Sequence, residues 1–419
     1  TAYINCIMLL LRNKVLLNEG DMRKTTLTWF YPVSMAPKRR NLFRLAWNDS
    51  FKKYFGGATT KCLNESIAPI QFFFKTFPSA NKMVSIDIGG GTTDVAFSDN
   101  RQVHFVTSFR FAANDLFSND IVTPPCKNGI IDYCYEKMIR PILSQLDDKV
   151  ARSISALDQI KESGPAELAI MLFALKDEAR LKGTGVTINN IDIGSILLRD
   201  ENFKIVFLLF YTAILYHIGK IIKATNYGMP RHVVFSGYGS NVLKFITRDV
   251  SVLENYTNTV LKLIVGNGGD LNILGFDNET PKEATCKGGL IADAAVVNNN
   301  NNPKVVVLKA LDDTIVDESA TYASIGDDYI NNSVKFVHKF INFFFTDVFG
   351  KFDIENIIGV SKRSLAISKS ECLKISDEDI KTSMTKRLEP MDKSDPIRET
   401  LFFYPLKDIL DRLSNKLYE

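Results

Sequence analysis

Residues 86–94 read Ile-Asp-Ile-Gly-Gly-Gly-Thr-Thr-Asp, an apolar strand running into three glycines and two hydroxyl residues, with an aspartate on either side. This is the composition of a phosphate site. Gly89, Gly90 and Gly91 let the chain turn sharply and bring backbone N–H groups against an anion, because each can take positive φ without a Cβ penalty. Thr92 and Thr93 add hydroxyls for phosphate oxygens. Asp87 and Asp94 bracket the turn, where they can orient the water shell of Mg²⁺ or an attacking water. A plain hairpin needs a glycine or two and has no use for the flanking aspartates.

A second turn of the same kind lies about 150 residues on, where the strand Arg231 to Phe235 runs into Ser236-Gly237-Tyr238-Gly239-Ser240 and a helix. The amides at that helix start can also face a ligand. Such a turn is common in α/β proteins, so it gains weight only as the partner of the first.

The elements that must hold these turns alternate. A strand over Thr25 to Tyr31 stops at Pro32. A helix between Arg40 and Phe55 carries one apolar stripe of Phe43, Trp47, Phe51, Tyr54 and Phe55, closed by Gly56-Gly57. A short strand at Lys61 to Leu63, a helix from Ala68 to Phe77, the strand Met83 to Ile88 and a return strand through Val95 to Phe97 follow. This order predicts an α/β sheet with helices on its faces. Further on, a helix over Ile130 to Leu146 is expected to kink at Pro141, and Val206 to Leu215 reads as a buried core helix within about 203–224, too short on its own to span a membrane. The tract Asn298 to Asn302 reads as a linker. Helical patterns beyond it cover about 329–349, 376–387 and 397–417. Phe343-Phe344-Phe345 reads there as core and Asp377 to Asp379 as a solvated helix start.

With 419 residues, 45% hydrophobic and 24% charged, the chain has ordinary globular composition and room for two or three domains. A net charge of +3 argues against wholesale nucleic-acid binding, and Lys38-Arg39-Arg40 reads as a solvated helix start. Six scattered cysteines and four distant histidines form neither a zinc site nor a disulfide framework. A cytoplasmic location fits that usage. The apolar run Ile4 to Leu11 lacks a basic region before it and a small-residue cleavage site, so it is not read as a signal peptide.

Taken in order, these pieces resemble the actin, heat-shock chaperone and sugar-kinase ATPase superfamily, most closely its bacterial actin-like and chaperone-like branches, over about 270 residues. Asn64-Glu65-Ser66-Ile67-Ala68 is similar to the family's hinge element and Asp87 to Asp94 to its second phosphate motif. Val233 to Ser240 resembles the adenosine motif, and Pro281-Lys282-Glu283-Ala284 through Gly288-Gly289 the segment returning to the first lobe. The resemblance implies a two-lobed α/β fold with ribonuclease-H-like sheets, holding ATP and Mg²⁺ between the lobes. Asp87 would hold Mg²⁺ through water and Glu65 would polarise the attacking water. Glu65 also reads as an exposed helix-cap residue. Gly89 to Thr93 would bind the phosphates, and Gly237, Tyr238, Gly239 and Ser240 would meet the nucleoside. Glu178 and Lys182 either line the base or form an ordinary i,i+4 surface pair, the second being the plainer explanation.

Two departures qualify the resemblance. Tyr238 stands where the family's middle adenosine glycine belongs, where it would stack on the base or obstruct it. The first phosphate hairpin, an Asp-x-Gly-Thr motif, is absent before Thr25; Ile191-Asp192-Ile193-Gly194-Ser195 looks like it but comes too late and is read as an exposed loop. The expectation is a chain truncated before that hairpin, which alone would bind nucleotide weakly or not at all. The expected divisions are a partial first lobe (1–82), a second lobe (83–297, with a small subdomain at about 148–200 and the return from about 281), the linker at 298–302 and a mainly helical extension (303–419). The function implied is an ATPase whose nucleotide state sets the angle between lobes, for filament assembly or for gating a protein partner. A small-molecule kinase and a non-hydrolysing scaffold are the alternatives.

Overall fold

Leu27–Tyr31 (β1) and Thr60–Asn64 (β2) pair in parallel, from Leu27 opposite Thr60 to Tyr31 opposite Asn64. Pro37–Phe55 (α2) connects them and lies on Ala2–Leu17 (α1). The apolar stripe of α2 faces inward as its spacing predicts: Phe51 and Phe55 are buried with Ile4 and Met8, half-buried Phe43 and Tyr54 pack against them, and half-buried Trp47 stacks on Trp29 at 5.8 Å. In this computed structural model the described residues are 2–33, 35, 37–56, 60–117, 128–145, 156–161, 164–177, 191–266, 268–276, 281–292, 303–309 and 314–418. The Asn298 to Asn302 tract lies outside them, as does much of the small-subdomain region.

After Ile67–Thr76 (α3) the chain enters a six-stranded mixed sheet in the order β7-β6-β3-β4-β5-β8. Met83–Ile88 (β3), Thr93–Asp99 (β4) and Gln102–Phe109 (β5) form an antiparallel meander, in which β5 went unread in the sequence. Glu201–Ala224 (α4) then carries the chain to His232–Ser236 (β6), which lies parallel to β3. Val250–Val265 (α5) leads to Asn272–Leu274 (β7), parallel to β6, and Lys304–Val305 (β8) adds to the far edge beside β5.

Strand alternation divides the sheet. Val84, Ile86, Ile88, Val95, Phe97, Val233 and Phe235 belong to the large core under α4 and α5. Met83, Ala96 and Val234 share the smaller core with Ile70, Phe73 and Phe74 of α3 and Ala284 of Glu283–Ile291 (α6). Helix α4 is long and apolar enough to cross a membrane by length and composition, yet 94% of its apolar window is buried inside the chain's own core. Lipid is not needed to cover it.

The helices after β8, Asp327–Asn342 (α7), Lys362–Leu373 (α8), Asp377–Leu388 (α9) and Phe403–Tyr418 (α10), pack into that same large core. Phe403 stacks on Phe109 at 4.2 Å and on Phe111 at 4.8 Å. Arg110 donates from Nε to Glu399 Oε1 at 2.8 Å and from its backbone to Oε2 at 3.1 Å. As expected, Phe343, Phe344 and Phe345 are buried, and a capping box of Ser376 and Asp379 starts the acidic helix α9.

Two local expectations are corrected. Ile191 to Ser195 is not an exposed loop: Ile193–Leu197 is a short helix with Ile191, Ile193 and Gly194 buried, and Ser195 Oγ donates to Asp192 Oδ2 at 2.6 Å. Its apolar residues fill a gap beside Phe245, close against Gly194. The helix near Pro141 is not one α-helix kinked by proline. It starts as Gly129–Tyr133, widens to a π-helical stretch over Cys134–Ile139 and restarts as Arg140–Leu143, so Pro141 falls in a first turn where its missing N–H costs little.

Helices α3 and α6 pack closely on each other, and α6 also abuts β1. A Cβ on Gly288 would lie 1.7 Å from the Ala68 carbonyl oxygen, and one on Gly289 2.4 Å from the Phe30 ring. Gly288→Ala must therefore push α6 off α3, and is expected to cost about 1–3 kcal/mol, the usual overpacking penalty. A urea midpoint equal to wild type would show that the contact yields freely.

Candidate functional site

The same alternation that buries Val84 and Ile86 on one face turns Asp87 to the other, toward α3 and α6. Asp94 opposes Asp87 across β3 and β4, and Ser236 opposes it across β3 and β6. Three polar side chains therefore gather at one end of one sheet face. Ser236 Oγ donates to Asp87 Oδ2 at 2.8 Å and Thr285 Oγ1 of α6 to the same oxygen at 3.3 Å. Ser66, before α3, donates to Asp94 Oδ1 at 3.5 Å, and Asn64 Oδ1 accepts from the Ser66 amide at 2.9 Å. Glu65 is anchored between them by its backbone N–H, bonded to the Tyr31 carbonyl at 3.1 Å.

This gathering shifts the carboxyls upward. Burial, then the charge of Asp87, push Glu65 up to about 7. Burial, then the charge of Glu65, push Asp94 up to about 8, against hydrogen bonds from Ser108 and Ser66. Burial also holds Asp87 above its ordinary range despite Ser236 and Thr285. Like charges brought together out of water resist ionising together, so all three carboxyls are held above their ordinary range. Among the described residues no three carboxylate, histidine or cysteine side chains form a direct metal cage.

The turn itself departs from expectation in three ways. None of Gly89, Gly90 and Gly91 has positive φ. The Gly89 amide closes the turn by donating to Thr92 O at 2.9 Å, while the Gly89 and Gly90 carbonyls accept from Ala113 and Asn114 at 3.2 and 2.9 Å. Exposed Gly90 and Gly91 keep amides that meet no acceptor among the described residues. The two threonines part company: Thr92, in the turn before β4, is exposed, whereas Thr93, the first residue of β4, is buried and donates to the Phe111 carbonyl at 2.6 Å.

The second turn is packed on the first. Gly237, at φ +80°, has no room for a Cβ, which would lie 2.3 Å from Asp87 Oδ1 and from the Ile88 carbonyl oxygen. A Cβ on Gly239 would lie 2.3 Å from the Gly89 carbonyl oxygen. Ser240 is buried and its Oγ donates to Gly237 O at 2.7 Å. Tyr238 alone of the four is exposed, at 73%. Gly237, Gly239 and Ser240 thus hold the turns together, and Tyr238 offers a free ring. Glu178 and Lys182 lie outside the described residues.

Thr92 also opens onto a groove of about 680 Å³ between the start of α2, the end of β5 and the segment before α10. Ser108, which bonds Asp94, lies in its wall. Lys38 and Arg39, taken from the sequence as a solvated helix start, line it with Arg110 and Arg398. A basic run before an apolar-periodic helix was the only signal for this wall, and Arg110 and Arg398 had none.

No family model matches this sequence, and no curated protein matches it. Among solved structures, MreB5 of Spiroplasma citri bound to AMPPNP overlaps it with a TM-score of 0.34 and 11% identity, covering 71% of this chain and 78% of that one. The same protein bound to ADP gives a TM-score of 0.32 at 11% identity over the same shares. Overlaps this loose fix neither a family nor a function.

The carboxyl trio carries a sign. Groups whose folded pKa is raised contribute stability that is complete below the ordinary carboxylate range, about 4, and lost as pH rises through about 7 for Glu65 and about 8 for Asp94. Glu65→Gln removes one ionisation and its repulsion on Asp94. Its thermal midpoint relative to wild type, measured in a chelator, should therefore improve steadily from pH 5 to pH 8 (roughly the window between those ranges). A difference independent of pH would mean the carboxyls are not coupled.

Proposed function

We propose that this chain binds Mg-ATP at the interlocked glycine turns and supplies the carboxylates for its hydrolysis, as an actin-like ATPase. The observation that carries the reading is the convergence at the ends of neighbouring parallel strands β3 and β6: two glycine turns in backbone contact, above Asp87, Asp94 and Glu65. The free amides of Gly90 and Gly91 and the exposed Thr92 hydroxyl suit phosphate oxygens. Asp87 would hold the Mg²⁺ water shell, and Glu65, ionised as it loses its proton near neutral pH, would orient the attacking water. The Tyr238 ring is available to stack on a base.

The sheet order supports the same reading, since an antiparallel three-stranded meander continued by two parallel strands is a ribonuclease-H-like arrangement. Nucleotide-driven motion of the β1–β2 unit against the larger sheet would pass through α3 and α6, which pack on each other between them. Self-assembly or gating of a protein partner would be the output of that motion. A non-hydrolysing scaffold is the second reading, favoured by the inward commitment of Thr93, Gly239 and Ser240.

Calorimetric titration of the chain with Mg-ATP is expected to give weak one-site binding, as the sequence implied for this chain alone, tightening as pH rises through about 7 to 8, where Glu65 and Asp94 ionise. Asp87→Asn, which keeps the shape, should weaken it by about tenfold or more and abolish phosphate release. Absence of binding, or an Asp87→Asn affinity equal to wild type, rejects the assignment; binding without phosphate release selects the scaffold.

A further inference from the structure

The groove beside Thr92 has features that the nucleotide reading does not use. Four cationic side chains, Lys38, Arg39, Arg110 and Arg398, face two carboxylates, Asp395 and Glu399. Glu399 is engaged by Arg110 and by the Tyr404 hydroxyl at 2.8 Å. Among the described residues, no side-chain ion pair or hydrogen bond holds Lys38, Arg39 or Arg398. Among the described residues the buried Arg398 Nε meets no acceptor, a costly state for a charged donor, and Arg398 lines the groove, where an anion would supply charge.

The rest of the wall is apolar. Met35, Leu42, Phe109 and Pro396 border the same space, and its volume of about 680 Å³ lies within the range of small-molecule sites. An inorganic ion would leave these side chains without a contact. Glu65 and Asp87 do not line the groove, and Thr92 is the point where it meets the glycine turn.

We infer that the groove is a site for a small organic anion, with the phosphate or carboxylate head held by Lys38, Arg39 and Arg398 and the apolar body against Met35, Leu42, Phe109 and Pro396. The acidic head lies among Lys38, Arg39 and Arg398, away from the glycine turn, and the ligand is separate from the nucleotide. The inference stands on the groove's own residues and does not require nucleotide to bind.

The test is calorimetric titration of the whole chain with phenyl phosphate, inorganic phosphate and benzyl alcohol. Phenyl phosphate is expected to bind at least about tenfold more tightly than inorganic phosphate, and benzyl alcohol to give no heat. Arg398→Met, and separately the exposed pair Lys38→Gln with Arg39→Gln, should each weaken phenyl phosphate by about tenfold or more. Binding that survives both variants, equal binding of inorganic phosphate, or none up to about 10 mM overturns the proposal. Repeating the titration with saturating Mg-ATP separates the two sources of an acidic head: retained binding supports a distinct ligand, and complete displacement assigns the groove to the nucleotide's phosphates and overturns it. If Mg-ATP fails to bind while phenyl phosphate binding is lost in the variants, the nucleotide reading falls and the organic-anion site stands.

Discussion

A Cβ at Gly237 or Gly239 would collide with the Asp87 carboxylate or with the Ile88 and Gly89 carbonyls, so the two turns can meet only backbone to backbone. That contact sets the position of everything around it. It fixes the ends of β3 and β6 side by side, shields Asp87, and leaves Gly90 and Gly91 exposed. Ser236 and Thr285 then reach the same Asp87 oxygen from a strand and a helix far apart in sequence.

Charge is partitioned around this contact. On one side, three carboxyls are buried together and hold their protons to unusually high pH; on the other, beyond Thr92 and Ser108, lies a groove with surplus positive charge. Ser108 touches both regions, since it bonds Asp94 and lines the groove.

The C-terminal helices complete the structure from the other face. Phe403 stacks on Phe109, the last residue of β5, and on Phe111 just beyond it, and Glu399, in the groove wall, accepts from Arg110. Fully burying such rings is worth roughly 1.5–3 kcal/mol each, so this region contributes to the core that holds β5 in place. Its segment before α10 is also one wall of the groove.

Local patterns in the sequence determined the glycine turns, the β3–β4 hairpin, the stripe of α2, the buried character of α4 and the acidic start of α9, because each depends on residues a few positions apart. Asp87 was legible as a candidate for the same reason, a carboxylate beside a glycine turn being a local sign, whereas Glu65 was implied only by the resemblance of Asn64 to Ala68 to a hinge element. Tertiary structure decided which groups face the ligand. Its place at the start of β4 and its bond to Phe111 sent Thr93 inward, while packing of one turn on the other consumed Gly239 and Ser240. Arg110 and Arg398 became neighbours of Lys38 only through chain separations that no periodicity encodes. The raised carboxyl pKa values belong to the fold as well, because they arise from burial and from charges brought together across β2, β3 and β4.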